Sequence, residues 1–247
     1  MQRIPQHKLH FPATFNARDL GGYETANGHQ TRLKSFVRSD NLRRLTPEGV
    51  QAVLDYGVRT VIDLRWPFEL EMDLNPFATQ TGAVQFVPVS LFGDSWETWT
   101  ERAPNYDEEL GYTHILDNFQ PEMKRVMQAL AHAPEGGVLF HCHAGKDRTG
   151  MVAMVLLSLA EVPADIIAAD YAISAEYLKP EFEQYLSQFT DPIEREKVVQ
   201  DQQCPPENAL QVLAHLDARY GGAAAYLGEI GLQADEIESL RARLIQT

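Results

Sequence analysis

Val138-Leu139-Phe140-His141-Cys142-His143-Ala144-Gly145-Lys146-Asp147-Arg148-Thr149-Gly150 is the stretch whose reading decides the fold. The apolar run Val138–Phe140 reads as a buried strand. Arg148 and Thr149 open an intensely apolar helical segment, Met151–Ala160, and the residues between form a tight polar loop. Such a strand–loop–helix aims several backbone N–H groups and the positive end of a helix at one point. Gly145 lets the loop turn without a Cβ in the way. A phosphate-sized oxyanion fits there, and Arg148 can close on it with two parallel hydrogen bonds. Cys142 lies at the bottom of this cradle, where amide dipoles favour a thiolate placed to attack phosphorus. The plainer alternative is a small core residue at a strand end.

The run His141–Gly150 resembles the Cys-x5-Arg loop of the protein tyrosine phosphatase superfamily. Its Gly-Lys-Asp-Arg-Thr variant is similar to that of bacterial tyrosine and dual-specificity phosphatases that also act on phosphoinositides. Asn16–Tyr23, Val61–Arg65, Arg38-Ser39-Asp40 and the tail Gly221–Leu244 resemble the same subfamily. The resemblance implies an α/β fold with a central, largely parallel sheet flanked by helices and a helical C-terminal elaboration, with residues 1–247 forming one phosphatase domain. It also favours Arg18 and Asp19 as a brace near the floor of the site rather than a surface pair.

Composition narrows the partners. Lys plus Arg number 21 and Asp plus Glu 35, for a net charge of −14. That surface argues against nucleic acid and against attraction to anionic membranes. It would also repel a phosphate ester at long range, so local donors must overcome the global field. No run of about 20 apolar residues offers a membrane span, and the first ten residues lack the apolar region of a secretory signal. The two cysteines, Cys142 and Cys204, make no disulfide framework and suit a reducing, cytoplasmic setting.

The remaining chain alternates helix and strand. Thr46-Pro47 caps a helix that ends at Gly57, and Val58–Leu64 follows as an interior strand. Val84–Val89 is another strand, and Asn27-Gly28 reads as a hairpin tip. Leu91–Pro104 reads as irregular, its Trp96 and Trp99 either walling a pocket or packing under the loop. Helices are expected over Tyr112–Phe119, from Pro121, and over Ala164–Leu178 with Ile166, Ile167, Tyr171 and Ile173 inward. Segment 180–206 is either a lid or a packed helix pair. A helix from Glu207 to Tyr220 and two short helices broken at Gly231 complete the chain.

The chemistry this implies is two-step phosphoryl transfer, with amides from His143, Ala144, Gly145, Lys146, Asp147 and Arg148 holding the equatorial oxygens. The substrate would be a phosphorylated protein, peptide or phosphoinositide, and the product inorganic phosphate; no cofactor is required. Asp147 is the first choice for general acid, a role the resemblance implies, and its alternative is to tie the loop down. Asp63 and Asp94 are other candidates, Asp63 also being readable as a loop-orienting carboxylate or the partner of Arg65. Position 68 is phenylalanine, so Trp66-Pro67 does not begin a Trp-Pro-Asp acid loop. Lys146 either meets extra phosphates or screens the acidic surface. The resemblance implies that the Thr149 hydroxyl assists the thiolate. His141 and His143 flank Cys142, but successive strand residues point to opposite faces and no second Cys/His cluster completes a tetrahedral set, against a metal site. The rival readings are a rhodanese- or arsenate-reductase-like thiol enzyme and a non-catalytic phosphate-binding module.

Overall fold

The computed structural model describes residues 7–79, 82, 84–102 and 111–246. Strands are β1 (Arg18–Asp19), β2 (Gln30–Thr31), β3 (Phe36–Ser39), β4 (Val58–Asp63), β5 (Gln85–Pro88), β6 (Gly137–His141) and β7 (Ile245–Gln246). The first half contributes helices α1 (Pro47–Tyr56), α2 (Pro67–Met72), α3 (Trp96–Arg102), α4 (Gly111–Asn118) and α5 (Gln120–Ala131). The second half adds α6 (Asp147–Leu159), α7 (Ala164–Leu186), α8 (Pro192–Asp201), α9 (Pro206–His215), α10 (Ala223–Glu229) and α11 (Ala234–Leu244).

The main sheet has the order β1-β3-β6-β4-β5. All its pairings are parallel except the antiparallel β1–β3 edge, as the α-then-β rhythm predicts. β6 is central, so the chain leaves the sheet at His141 between the carboxyl ends of β3 and β4. Open parallel sheets place their ligands at that edge.

Side-chain alternation along each strand feeds two cores. Phe36, Ile62, Val138 and Phe140 face a large cluster built on α5, α6, α7 and the C-terminal helices. Val37, Val61 and Leu139 face a smaller one with Val50 and Val53 of α1. Helix α6 runs buried from Arg148 to Leu157, because its apolar residues cover every side. Fully buried Phe140 lies beneath the loop; its truncation to Ala would cost about 3–5 kcal/mol.

The Thr46 cap forms as read: its hydroxyl accepts from Gly49 N, and Gly57 closes α1 at φ +110°. Two segments differ from the sequence reading. Residues 96–102 form helix α3, started by Ser95, whose hydroxyl accepts from Thr98 N at 3.2 Å. Positions 103 and 104 of that loop lie outside the described residues, as does the Trp96 indole. Helix α7 continues through Pro180 to Leu186. Proline removes the bond to the carbonyl of Glu176, but both residues are exposed and water can take its place. On the same helix Ile173 is only half-buried, and Asp170 and Ser174 occupy the inner face.

Candidate active site

The loop after β6 is shaped by what its carbonyls bind. The Cys142 carbonyl accepts from His141 Nδ1 (2.9 Å) and the His143 carbonyl from Asn41 N (2.8 Å). The Ala144 and Gly145 carbonyls accept from Asn16 Nδ2, both at 3.1 Å. Arg38 Nη2 reaches the Gly145 carbonyl at 2.8 Å and that of Lys146 at 3.4 Å. Every carbonyl from Cys142 to Lys146 is thus turned outward. A trans peptide sets N–H opposite C=O, so the amides of residues 143–147 face the other way, into the cradle. Gly145 sits at φ +66° against β3; a Cβ there would lie 2.4 Å from the Ser39 carbonyl oxygen.

Cys142 is 3% exposed at the strand end. Arg148, in the first turn of α6, gives Nη1 and Nη2 to Glu69 at 2.5 and 3.0 Å. Its guanidinium also lies over Trp66 and Phe92, 5.2 and 5.5 Å from the ring centroids. Burial works to lower the arginine's pKa, but Glu69, the Cys142 sulfur and Asp147 outweigh it. A guanidinium carries five N–H groups, so three remain that Glu69 does not take. Trp66 and Phe92 continue through Trp99 to Phe119 as one aromatic stack, with Phe92–Trp99 centroids 4.6 Å apart. Trp99 therefore packs in this stack.

Asp147 is 41% exposed at its side chain. Its Oδ1 accepts from the Tyr112 hydroxyl and lies 3.5 Å from Lys146 Nζ. Lys146 is not an open rim charge: its ammonium is mostly buried and donates to the Asp201 carbonyl at the end of α8. The Thr149 hydroxyl is buried and without a hydrogen-bond partner among the described residues.

Asp63 lies beneath the loop, fully buried. It accepts from Arg65 Nε and Nη2 (2.9 and 2.8 Å) and from Asn75 Nδ2 (3.0 Å), with His141 Nε2 at 3.2 Å. Burial would raise its pKa, but His141 and Arg65 hold it well below the carboxylate range. Asp94 is exposed and faces Arg125 at 3.9 Å. Arg18 and Asp19 do not pair with each other. Arg18 bonds Asp170 at 2.8 Å and the Asn16 side chain at 2.5 Å, while Asp19 accepts from Tyr56 and from the Gly21 and Lys34 amides.

Asp170, Glu69 and Asn16 escaped the sequence reading. Asp170 takes Arg18 and Arg38 on its two oxygens, at 2.8 and 2.6 Å, and the Tyr23 hydroxyl at 2.8 Å. Its signal was an acid on the inward stripe of α7, four residues after Ile166. Two buried guanidiniums share this one carboxylate, leaving net positive charge behind the loop. Burial and the neighbouring Arg18 pull Arg38 down to about 10.

Beside the cradle opens a groove of about 560 Å³ between Arg43, Arg44, His143, Glu181 and Tyr185 of α7, and Gln188 just beyond it. Arg43 is held by Asp73 and Arg44 by Glu181. Cys204 is a second buried free thiol, which burial pushes up to about 11.

The central parallel strand thus runs into Cys142, an outward-tied loop follows, and Arg148 opens the next helix. The model of the tyrosine phosphatase family matches residues 9–246, and the chain belongs to that family. It is 36% identical to a tyrosine-protein phosphatase of Nostoc commune, over 86% of this chain and 74% of the relative. It is 25% identical to the triple specificity protein phosphatase PtpB of Mycobacterium tuberculosis, over 95% of this chain and 98% of that one.

Proposed function

We propose that this phosphatase hydrolyses phosphomonoesters through a phosphocysteine on Cys142, with phosphotyrosine as first substrate and phosphoserine, phosphothreonine or phosphoinositides also accepted. The observation that carries this reading is the outward tethering of all five loop carbonyls, which leaves the amides of residues 143–147 on the opposite side of the loop. The triple specificity in the name of the M. tuberculosis relative supports the wider substrate range.

In the first step the Cys142 thiolate attacks phosphorus while the ester P–O bond breaks. The amides and Arg148 hold the equatorial oxygens, and the Asp147 carboxyl gives its proton to the departing oxygen. In the second step the Asp147 carboxylate takes a proton from water as its oxygen attacks phosphorus. The P–S bond breaks, the thiolate is restored with help from the Thr149 hydroxyl, and inorganic phosphate leaves. Asp63 serves as a support: its ion pair and hydrogen bonds keep it charged under the loop, so it has no proton to give. The two free thiols fit a reducing, cytoplasmic setting.

A panel of phosphopeptides and phosphoinositides, run on wild type and Cys142→Ser, tests the reading. Wild type should release phosphate and yield a phosphoenzyme labelled on Cys142 when quenched in denaturant. Cys142→Ser should release none while still holding substrate. Residual turnover in Cys142→Ser at more than about a hundredth of wild type would sink the thiolate mechanism.

A further inference from the structure

The two oxygens of Asp147 are not equivalent. Oδ1 accepts from the Tyr112 hydroxyl, with Lys146 Nζ 3.5 Å away, while among the described residues nothing bonds Oδ2. Tyr112 stands in the first turn of α4, and its oxygen lies 2.9 Å from the Tyr171 hydroxyl on α7. The two rings meet edge to face at 6.0 Å. A phenol has one hydrogen and an ionised carboxylate has none. Tyr112 therefore gives its hydrogen to Asp147 and accepts the hydrogen of Tyr171, so both hydroxyls point toward the carboxylate. Burial first, and then the charge of Asp147, push both phenols above their ordinary range, which keeps them donors throughout the working pH range.

We propose that Tyr112, backed by Tyr171, is a positioning residue for acid–base transfer: it pins Oδ1 and leaves Oδ2 as the oxygen that gives and takes the proton. The inference rests on Asp147 being the general acid. A side chain that is 41% exposed has room to change rotamer, and proton transfer demands one orientation. Tyr112 supplies that restraint from a helix remote in sequence from the loop. It touches no reacting atom.

The test pairs phenyl phosphate, a poor leaving group, with p-nitrophenyl phosphate, a good one. Asp147→Asn should lose far more kcat on phenyl phosphate than on p-nitrophenyl phosphate. Tyr112→Phe, which removes one oxygen and keeps the ring, should show the same bias at smaller size: about tenfold on phenyl phosphate and under about twofold on p-nitrophenyl phosphate, with KM nearly constant. Tyr171→Phe leaves the first donor in place, so its loss should be smaller with the same bias. Adding Tyr112→Phe to Asp147→Asn should cost nothing further on phenyl phosphate.

Removing a donor to a carboxylate favours its protonated form, so the basic limb of the kcat profile should move to higher pH in Tyr112→Phe. Among the described residues the groups facing Asp147 are Lys146, Arg148, Tyr112, Tyr171 and Cys204; all but Tyr112 are unchanged in that variant. Equal losses on both substrates, or none, while Asp147→Asn keeps its bias, would overturn the proposal for Tyr112 alone. Absence of bias in Asp147→Asn itself would remove the acid assignment and this inference together.

Discussion

Glu69 meets Arg148 with both carboxylate oxygens, Oε2 at 2.5 Å from Nη1 and Oε1 at 3.0 Å from Nη2. Glu69 Oε2 also accepts from Trp66 N at 2.9 Å, so the first turn of α2 and the arginine share one anchor. The fork geometry fixes the plane of the guanidinium before any substrate arrives.

Glu69→Gln keeps the length of that side chain but cannot accept on both atoms. The arginine loses its fixed plane, and kcat/KM on p-nitrophenyl phosphate should fall about tenfold or more, near 1.4 kcal/mol of transition-state stabilisation. Steady-state kinetics beside a thermal melt checks this. Unchanged kcat/KM in a folded variant would show that Arg148 needs no such partner.

Gly145→Ala forces a methyl group against the Ser39 carbonyl and demands φ +66° of a residue with a Cβ. The loop must shift, and the amides then no longer converge. Turnover should drop by about a hundredfold or more, and vanadate binding should vanish too. Cys142→Ser, which leaves the cradle intact, should keep it. Vanadate inhibition and isothermal titration separate the two variants.

Asp170 carries a pH signature. Burial alone would raise its pKa, but Arg18 and Arg38 hold it well below the unfolded carboxyl value of about 3.9. A carboxylate depressed in this way contributes stability above its unfolded pKa and loses it as pH falls toward the folded one. Melting temperature should therefore fall steeply between about pH 5 and pH 3. Asp170→Asn should be less stable at pH 7 by about 3–5 kcal/mol, because two buried guanidiniums lose their counter-charge. Its acid slope should be shallower, with Asp63 still contributing. Melting profiles of both proteins from pH 7 to pH 3 decide it, and parallel curves would contradict the pairing.

Activity should persist in EDTA. Both nitrogens of His141 are occupied, Nδ1 by the Cys142 carbonyl and Nε2 by Asn75 and Asp63. Loss of turnover on chelation, restored by zinc, would contradict a thiolate mechanism.

The strand–loop–helix at 138–159 was legible because its signals are local: an apolar run, a glycine, then an all-apolar helix. The same holds for α1, whose cap and stop are single residues. What escaped reading was long-range. Asn16 meets Gly145 across 129 positions and Arg18 meets Asp170 across 152, and only the sheet order brings them together. Asp170 was at least detectable as an acid among inward apolar residues. Glu69 carried a weaker mark, the Trp66-x-x-Glu69 box that opens α2. Helix α3 was missed although Ser95 announces it, because Leu91–Pro104 was read as one irregular loop. Lys146 looked like a rim charge because its sequence neighbours do not show that the end of α8 would receive it.

The ties that turn the loop carbonyls outward come from Asn16, Arg38, Asn41 and His141, and Asp170 in turn holds Arg38 from α7. No partial chain ending before residue 170 can complete that scaffold. During synthesis Cys142 and Arg148 emerge earlier, in a peptide without the ties that shape their loop. Hydrolytic competence should thus arrive all at once, late in maturation, and fragments bearing the whole Cys142–Arg148 loop should be inert.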